Sequence, residues 1–147
     1  MRILVVCLGN ICRSPMGEGV LRALAEKAGK NWTIDSAGTY GGHAGKAPDL
    51  RAQAAMRKMG CNIEALRARQ VRREDFEHFD WILAMDRQNL QDLRELQGTD
   101  WDKVLSFMPD GTEVPDPYWG EAADFDSVRA MLQQGGETWL QLGFPER

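Results

Sequence analysis

Long apolar runs are missing from this sequence, and so is any surplus of positive charge. No segment of the 147 residues approaches the roughly 20 apolar residues that a membrane-spanning helix needs. The opening stretch "MRILVVCLGN" is too short in apolar content for a secretory leader and lacks the small-residue cleavage pattern. Cysteine is scarce, three in all, at none of the spacings of a zinc site or a secreted disulfide framework. A net charge of -4 counts against nucleic acid as a partner, because such partners are met by clustered basic surfaces. These absences predict a cytoplasmic protein with free thiols, no bound metal, no membrane contact and no nucleic-acid partner.

What remains is 43% hydrophobic residues, enough for the core of one domain spanning 1–147. Short β-like runs alternate with helical stripes. Ile3 to Val6 is continuously apolar, as in a parallel strand covered on both faces. Val20, Leu21, Leu24 and Ala28 then recur at helical spacing, with Ser14 and Pro15 suited to the N-cap and first turn. Trp32 to Ala37 reads as a second strand, and Pro48 to Met59 as a helix closed by Gly60. "FDWILAMD" supplies a third strand. Asp86 is placed to cap a helix that carries Leu90, Leu93 and Leu96 and stops at Gly98. Val104 to Phe107 is the fourth strand. Asp126 is placed to cap a last helix with Val128, Leu132, Gly135, Trp139 and Leu142 on one stripe. The alternation predicts a three-layer α/β sandwich on a four-stranded parallel sheet, with ligands bound beyond the carboxyl ends of its strands.

The chemistry concentrates between the first strand and the first helix: Cys7, Leu8, Gly9, Asn10, Ile11, Cys12, Arg13, Ser14. A loop curled over a helix N-terminus turns successive N–H groups inward and makes a concave anion site. Gly9 and Asn10 are the residue types that most readily adopt the left-handed backbone such a loop needs. A cysteine at the base of the cup is stabilised as a thiolate by the same N–H groups, which makes Cys7 a candidate nucleophile. Arg13 can hold two oxygens of a phosphoryl group with its planar fork, and Ser14 can donate a hydrogen bond to the sulfur. A buried structural cysteine is the bland alternative, and the arginine and serine at this spacing weigh against it.

Phosphoester hydrolysis also needs a proton donor for the leaving oxygen. In "VPDPYWG", Asp116 lies between two prolines that stiffen its backbone, and Tyr118 and Trp119 follow. An Asp-Pro turn is often only a turn. Aromatic walls beside a deep anion cup would clasp a flat ring, so that only a long aryl phosphate reaches the sulfur.

The motifs "VCLGNICRSPMGEGVL", "DSAGTY", "RARQV", "DWILAMDRQNL" and "VPDPYWG" resemble the low-molecular-weight protein tyrosine phosphatases, in their bacterial form, over essentially the whole chain. The resemblance implies a flavodoxin-like fold with a phosphate-binding loop after the first strand, and hydrolysis through a cysteinyl-phosphate without a cofactor. It implies Cys7 as nucleophile, Arg13 as phosphate clamp and Asp116 as general acid and base. Asn10, Ser14 and Ser36 would hold the loop in shape, Leu8, Tyr40, Tyr118 and Trp119 would form the substrate slot, and Cys12 would be the redox partner of Cys7. The implied substrate is a tyrosine-phosphorylated protein, a bacterial tyrosine kinase of polysaccharide export among them, with inorganic phosphate as product.

Two positions depart from the pattern. Gly42-His43 stands where many relatives carry a tryptophan with His or Asn, which leaves Tyr40 as the nearest aromatic. Leu66 replaces a histidine, so a smaller polar network is expected around Asn10 and Ser36. Cys61 reads as a buried small hydrophobe, His43 and His78 as loop or surface residues, and Arg67, Arg69, Arg72 and Arg73 as a solvated face neutralised by Glu74 and Asp75. An arsenate reductase would need further cysteines downstream, and none follows Cys61. Protein-arginine phosphatases typically carry threonine where Ile11 stands. A phosphocysteine carrier would have no use for groups that discharge the phosphoryl, as Arg13 and Asp116 are set to do.

Overall fold

The computed structural model describes residues 1–97 and 102–145. Strands β1 (Arg2–Cys7), β2 (Thr33–Gly38), β3 (Trp81–Ala84) and β4 (Val104–Ser106) alternate with helices α1 (Arg13–Lys27), α2 (Leu50–Arg57), α3 (Asp75–His78), α4 (Arg87–Gln97) and α5 (Ala122–Leu142). The strands form one parallel sheet in the order β2-β1-β3-β4. The three-layer α/β expectation therefore holds.

Alternation in β1 builds two cores. Ile3 and Val5 face Met16, Val20, Leu21 and Leu132, while Leu4 and Val6 face Phe76, Phe79 and Leu93. All four strand residues are fully buried, which is why the run lacks a polar face. Removing one of these side chains, as in Leu132→Ala, costs about 2–5 kcal/mol.

Several boundaries differ from expectation. α1 starts at Arg13 with Cys12 at its N-cap, so Ser14 and Pro15 lie inside the first turn. α2 is shorter than Pro48 to Met59 because Asp49 caps it, accepting from the Arg51 N–H at 2.8 Å. α5 begins before Asp126: Glu121 and Asp124 form a reciprocal capping box, and Asp126 pairs with Lys58 and Arg129 instead. Ala28 and Leu142, assigned to buried stripes, are exposed at helix ends. α3 was unforeseen, and the stop expected at Gly98 lies outside the described residues.

Chain direction positions the site. β1 pairs with β2 on one side and β3 on the other, so successive crossovers diverge at its carboxyl end. That divergence opens a crevice where loops from both halves meet. Cys7 is the last residue of β1.

Candidate active site

Residues 7–13 wrap from the end of β1 onto the start of α1. The Cys7 sulfur accepts a hydrogen bond from the Asn10 N–H at 3.3 Å and lies 3.0 Å from Ser14 Oγ. Asn10 is the left-handed residue of the loop, at φ 56°. Gly9 is not left-handed, contrary to expectation; a Cβ there would press on the His43 ring, so its smallness serves packing.

The Asn10 side chain keeps the loop in this conformation. Its Nδ2 donates to Ser14 Oγ at 2.7 Å and to Ser36 Oγ at 3.0 Å, and its Oδ1 accepts from the Arg69 N–H at 3.0 Å. Ser36 in turn donates to Glu18 Oε1 at 2.8 Å. Leu66 packs against the core, and the network around Asn10 and Ser36 runs on through the Arg69 amide and Glu18. Gly38 matters here by close approach, since a Cβ would lie 2.6 Å from the Leu8 carbonyl oxygen.

Glu18 is buried, and burial pushes its carboxyl above the ordinary range against the opposing pull of Ser36 and Arg22. Its other oxygen lies 2.8 Å from Arg22 Nη2, an ion pair without an aligned hydrogen bond. Arg69 also breaks the expectation of a solvated arginine face. It bridges Asp35 at the end of the sheet to buried Asp75 of α3, at 3.1 and 3.0 Å.

Arg13 is 2% exposed. Its Nη1 donates to Asp86 Oδ2 at 2.7 Å and to the Val114 carbonyl at 2.9 Å, and its Nη2 lies 3.6 Å from Asp116 Oδ2. Burial by itself weakens the guanidinium's hold on its proton; Cys7, Asp86 and Asp116 more than reverse this and leave it above its ordinary value. Asp86 thus does more than the capping expected of it. It accepts from the Asn89 N–H at 2.8 Å with Oδ1 and aims Arg13 with Oδ2.

Asp116 Oδ1 accepts from the Tyr118 N–H at 3.1 Å, a tight turn between the two prolines. Arg51 clamps this loop, donating to the carbonyls of Tyr118 at 3.0 Å and Gly120 at 2.9 Å while paired with Asp49. Its guanidinium also lies 4.5 Å from the centre of the Phe125 ring. Nothing in the sequence signalled Arg51.

A cavity of about 310 Å³ stands over the sulfur, bringing together Cys7, Leu8, Gly9, Ile11, Cys12, Arg13, Tyr40, Asp116, Tyr118 and Trp119. His43, expected to be a mere loop residue, is in its wall, edge-on to Tyr40 at 5.8 Å. Tyr40 folds over Gly42, where any Cβ would collide with its ring, and with His43 it forms this wall of the cavity. Cys12 lines the cavity too, its thiol pushed far up by burial and by Asp49, Cys7 and Asp116. Asn10, Ser14 and Ser36 support the floor from behind. Cys61 is half-buried, with its thiol raised by desolvation.

A thiol that accepts from the Asn10 amide beside a fixed guanidinium, with a carboxylate lining the same cavity, defines a cysteine-based phosphate-handling enzyme. The sequence profile described as "Low molecular weight phosphotyrosine protein phosphatase" matches residues 2–142. The protein-tyrosine-phosphatase YfkJ of Bacillus subtilis (strain 168) is 39% identical over 146 residues, covering 94% of this chain and 92% of its own. The Mus musculus low molecular weight phosphotyrosine protein phosphatase is 43% identical over 154 residues, covering 95% and 93%. Among solved structures, Vibrio vulnificus Wzb in complex with benzylphosphonate superposes with a TM-score of 0.89 at 27% identity, covering 96% of this chain and 97% of that one. The chain belongs to the low molecular weight phosphotyrosine protein phosphatase family, cysteine-dependent enzymes that hydrolyse phosphotyrosine in proteins. Among the described residues no helix is long and apolar enough to cross a membrane.

Proposed function

We propose that Cys7 is the nucleophile, Arg13 the phosphate clamp and Asp116 the proton donor and acceptor of a two-step hydrolysis carried by the whole 1–147 chain. The Cys7 sulfur attacks phosphorus in line, the P–S bond forms, and the bond to the tyrosine oxygen breaks as Asp116 protonates that oxygen. Loop amides and Arg13 hold the equatorial oxygens through the transition state. Water then attacks phosphorus and gives its proton to Asp116; the P–S bond breaks and inorganic phosphate leaves. Ser14, 3.0 Å from the sulfur, helps it depart by donating a hydrogen bond.

The observation that carries this reading is the span of Arg13, fixed by Asp86 on one side and 3.6 Å from Asp116 on the other, directly beside the sulfur loop. The benzylphosphonate bound by Wzb supports an aryl substrate for the slot of Leu8, Tyr40, Tyr118 and Trp119. Steady-state hydrolysis of phosphotyrosine, phosphoserine and phosphoarginine peptides tests it, with chelator present and Cys7→Ser as control. Turnover of the phosphotyrosine peptide alone, lost in Cys7→Ser, is expected; an active Cys7→Ser protein contradicts the assigned nucleophile.

The setting we infer is the cytoplasm, and the partner a tyrosine-phosphorylated protein such as a kinase of polysaccharide export. Dephosphorylation of that kinase by the purified enzyme is the check. Cys12 lines the same cavity as Cys7, which supports a disulfide between them under mild peroxide. Mass spectrometry that found only irreversibly oxidised Cys7 would rule it out.

A further inference from the structure

A second depression opens beside the active-site cavity and shares a wall with it. Its volume is about 520 Å³, and Leu8 and Tyr40 line both spaces. These side chains are 45% and 55% exposed, so the ridge between slot and groove is apolar and accessible. Beyond the ridge lie Gln70, Val71 and Leu96, and the far rim carries Asp92 and Glu95 of α4.

The groove floor is tied to the catalytic loop. Thr39 and Tyr40 donate their N–H groups to the Cys7 and Leu8 carbonyls, each at 2.9 Å. Gln70 Nε2 donates to the Thr39 carbonyl at 3.2 Å, and the Val71 N–H donates to Gly38 at 2.8 Å. A chain laid here meets a preformed surface, which reduces the ordering cost of binding.

The rim carboxylates also differ from the paired aspartates of the molecule. Asp35, Asp49, Asp75, Asp86 and Asp126 each face a cation, whereas Asp92 and Glu95 form no ion pair among the described residues. Among the described residues, the Asp92 side chain accepts one hydrogen bond, from the Gln88 amide at 3.0 Å. Three residues apart, the two acids share one face of the helix.

We propose that this groove receives the polypeptide flanking the substrate's phosphotyrosine, and that Asp92 and Glu95 select a lysine or arginine there. The proposal rests on hydrolysis at Cys7, since it is continuity with that slot that identifies the occupant. An extended chain advances roughly 3.3 Å per residue, so the first four positions on either side of the phosphotyrosine lie within about 13 Å of it. A long aliphatic stem over Val71 and Leu96 with a cationic head at the acidic rim suits Lys and Arg.

The experiment compares kcat/KM for phosphotyrosine peptides carrying Lys, Ala or Glu at each of these positions on either side, alongside p-nitrophenyl phosphate, which ends within the slot. Lys is expected to exceed Glu by about 3–10-fold on one side at low salt, with the preference fading as salt rises. The doubly neutralised protein (Asp92→Asn with Glu95→Gln) should lose the preference and keep its rate on p-nitrophenyl phosphate, and Glu95→Lys should invert it. Equal rates for Lys and Glu peptides, or a preference that survives neutralisation, overturn the groove assignment while leaving the catalytic site standing. A second copy of the chain seated in the groove would appear as a dimer in sedimentation, without peptide discrimination, and would overturn it too. Failure to hydrolyse p-nitrophenyl phosphate at all would overturn the reading of Cys7 and the groove with it.

Discussion

Replacing Asp86 by asparagine isolates what aims Arg13. The substitution leaves an oxygen to accept the Asn89 N–H, so the start of α4 stays capped. It removes the carboxylate that accepts from Arg13 Nη1 at 2.7 Å, leaving that nitrogen with the Val114 carbonyl. Arg13 is almost wholly buried, so water restores little of what is lost. A hydrogen bond to a charged partner contributes about 1.5–3 kcal/mol, and a loss near 2 kcal/mol lowers the melting temperature by about 4–8 °C in a chain of this length. Asp86→Ala also loses the cap, which adds about 1 kcal/mol. Freed on one side, the guanidinium can swing toward Asp116, and misplacement by about 1 Å is enough for a loss of up to about 10²-fold in kcat. Calorimetry and steady-state turnover of p-nitrophenyl phosphate give the two readouts. An Asp86→Asn protein that melts within about 1 °C of the parent and turns over within about twofold would refute the idea that this ion pair holds Arg13 in place.

Other perturbations follow from the same contacts. Asn10→Ala loses three side-chain hydrogen bonds and keeps a Cβ in the left-handed region without the polar side chain that makes it tolerable there, for a cost of about 3–5 kcal/mol in thermal unfolding; Asn10→Gly, which has no Cβ, should be milder, and equal damage would remove the backbone argument. Arg51→Ala should unclamp the Asp116 loop, lowering kcat more for aryl phosphates with poor leaving groups than for good ones; uniform losses would mean that Arg51 does not position the acid. Glu18 is held above its ordinary value of 4.5 by burial, so above pH 4.5 the folded state keeps more protons than the unfolded chain and stability falls as pH rises. Glu18→Gln should therefore gain on the parent as pH rises above 4.5 in denaturant titrations; a gap that narrows as pH rises would show that the carboxyl is not raised.

The sequence was sufficient for whatever is local along the chain. Strand-helix alternation yielded the parallel sheet, and the spacing of Cys7, Arg13 and Ser14 marked the loop between β1 and α1, where the Asn10 N–H turns toward the Cys7 sulfur. Helix starts were less legible: an aspartate in the right pattern looked like the cap of α5, yet the reciprocal pair of Glu121 and Asp124 captured that start a turn earlier. Tertiary structure alone decided which distant charges meet. Asp86 lies 73 positions from Arg13, and Arg51 lies 67 from the Tyr118 carbonyl it holds. Periodicity and motif spacing do not encode such pairs, which depend on how crossovers bring loop ends together at the carboxyl edge of the sheet. The same folding set His43 beside Tyr40 in the wall of the slot, and left Asp92 and Glu95 facing an open groove beside it.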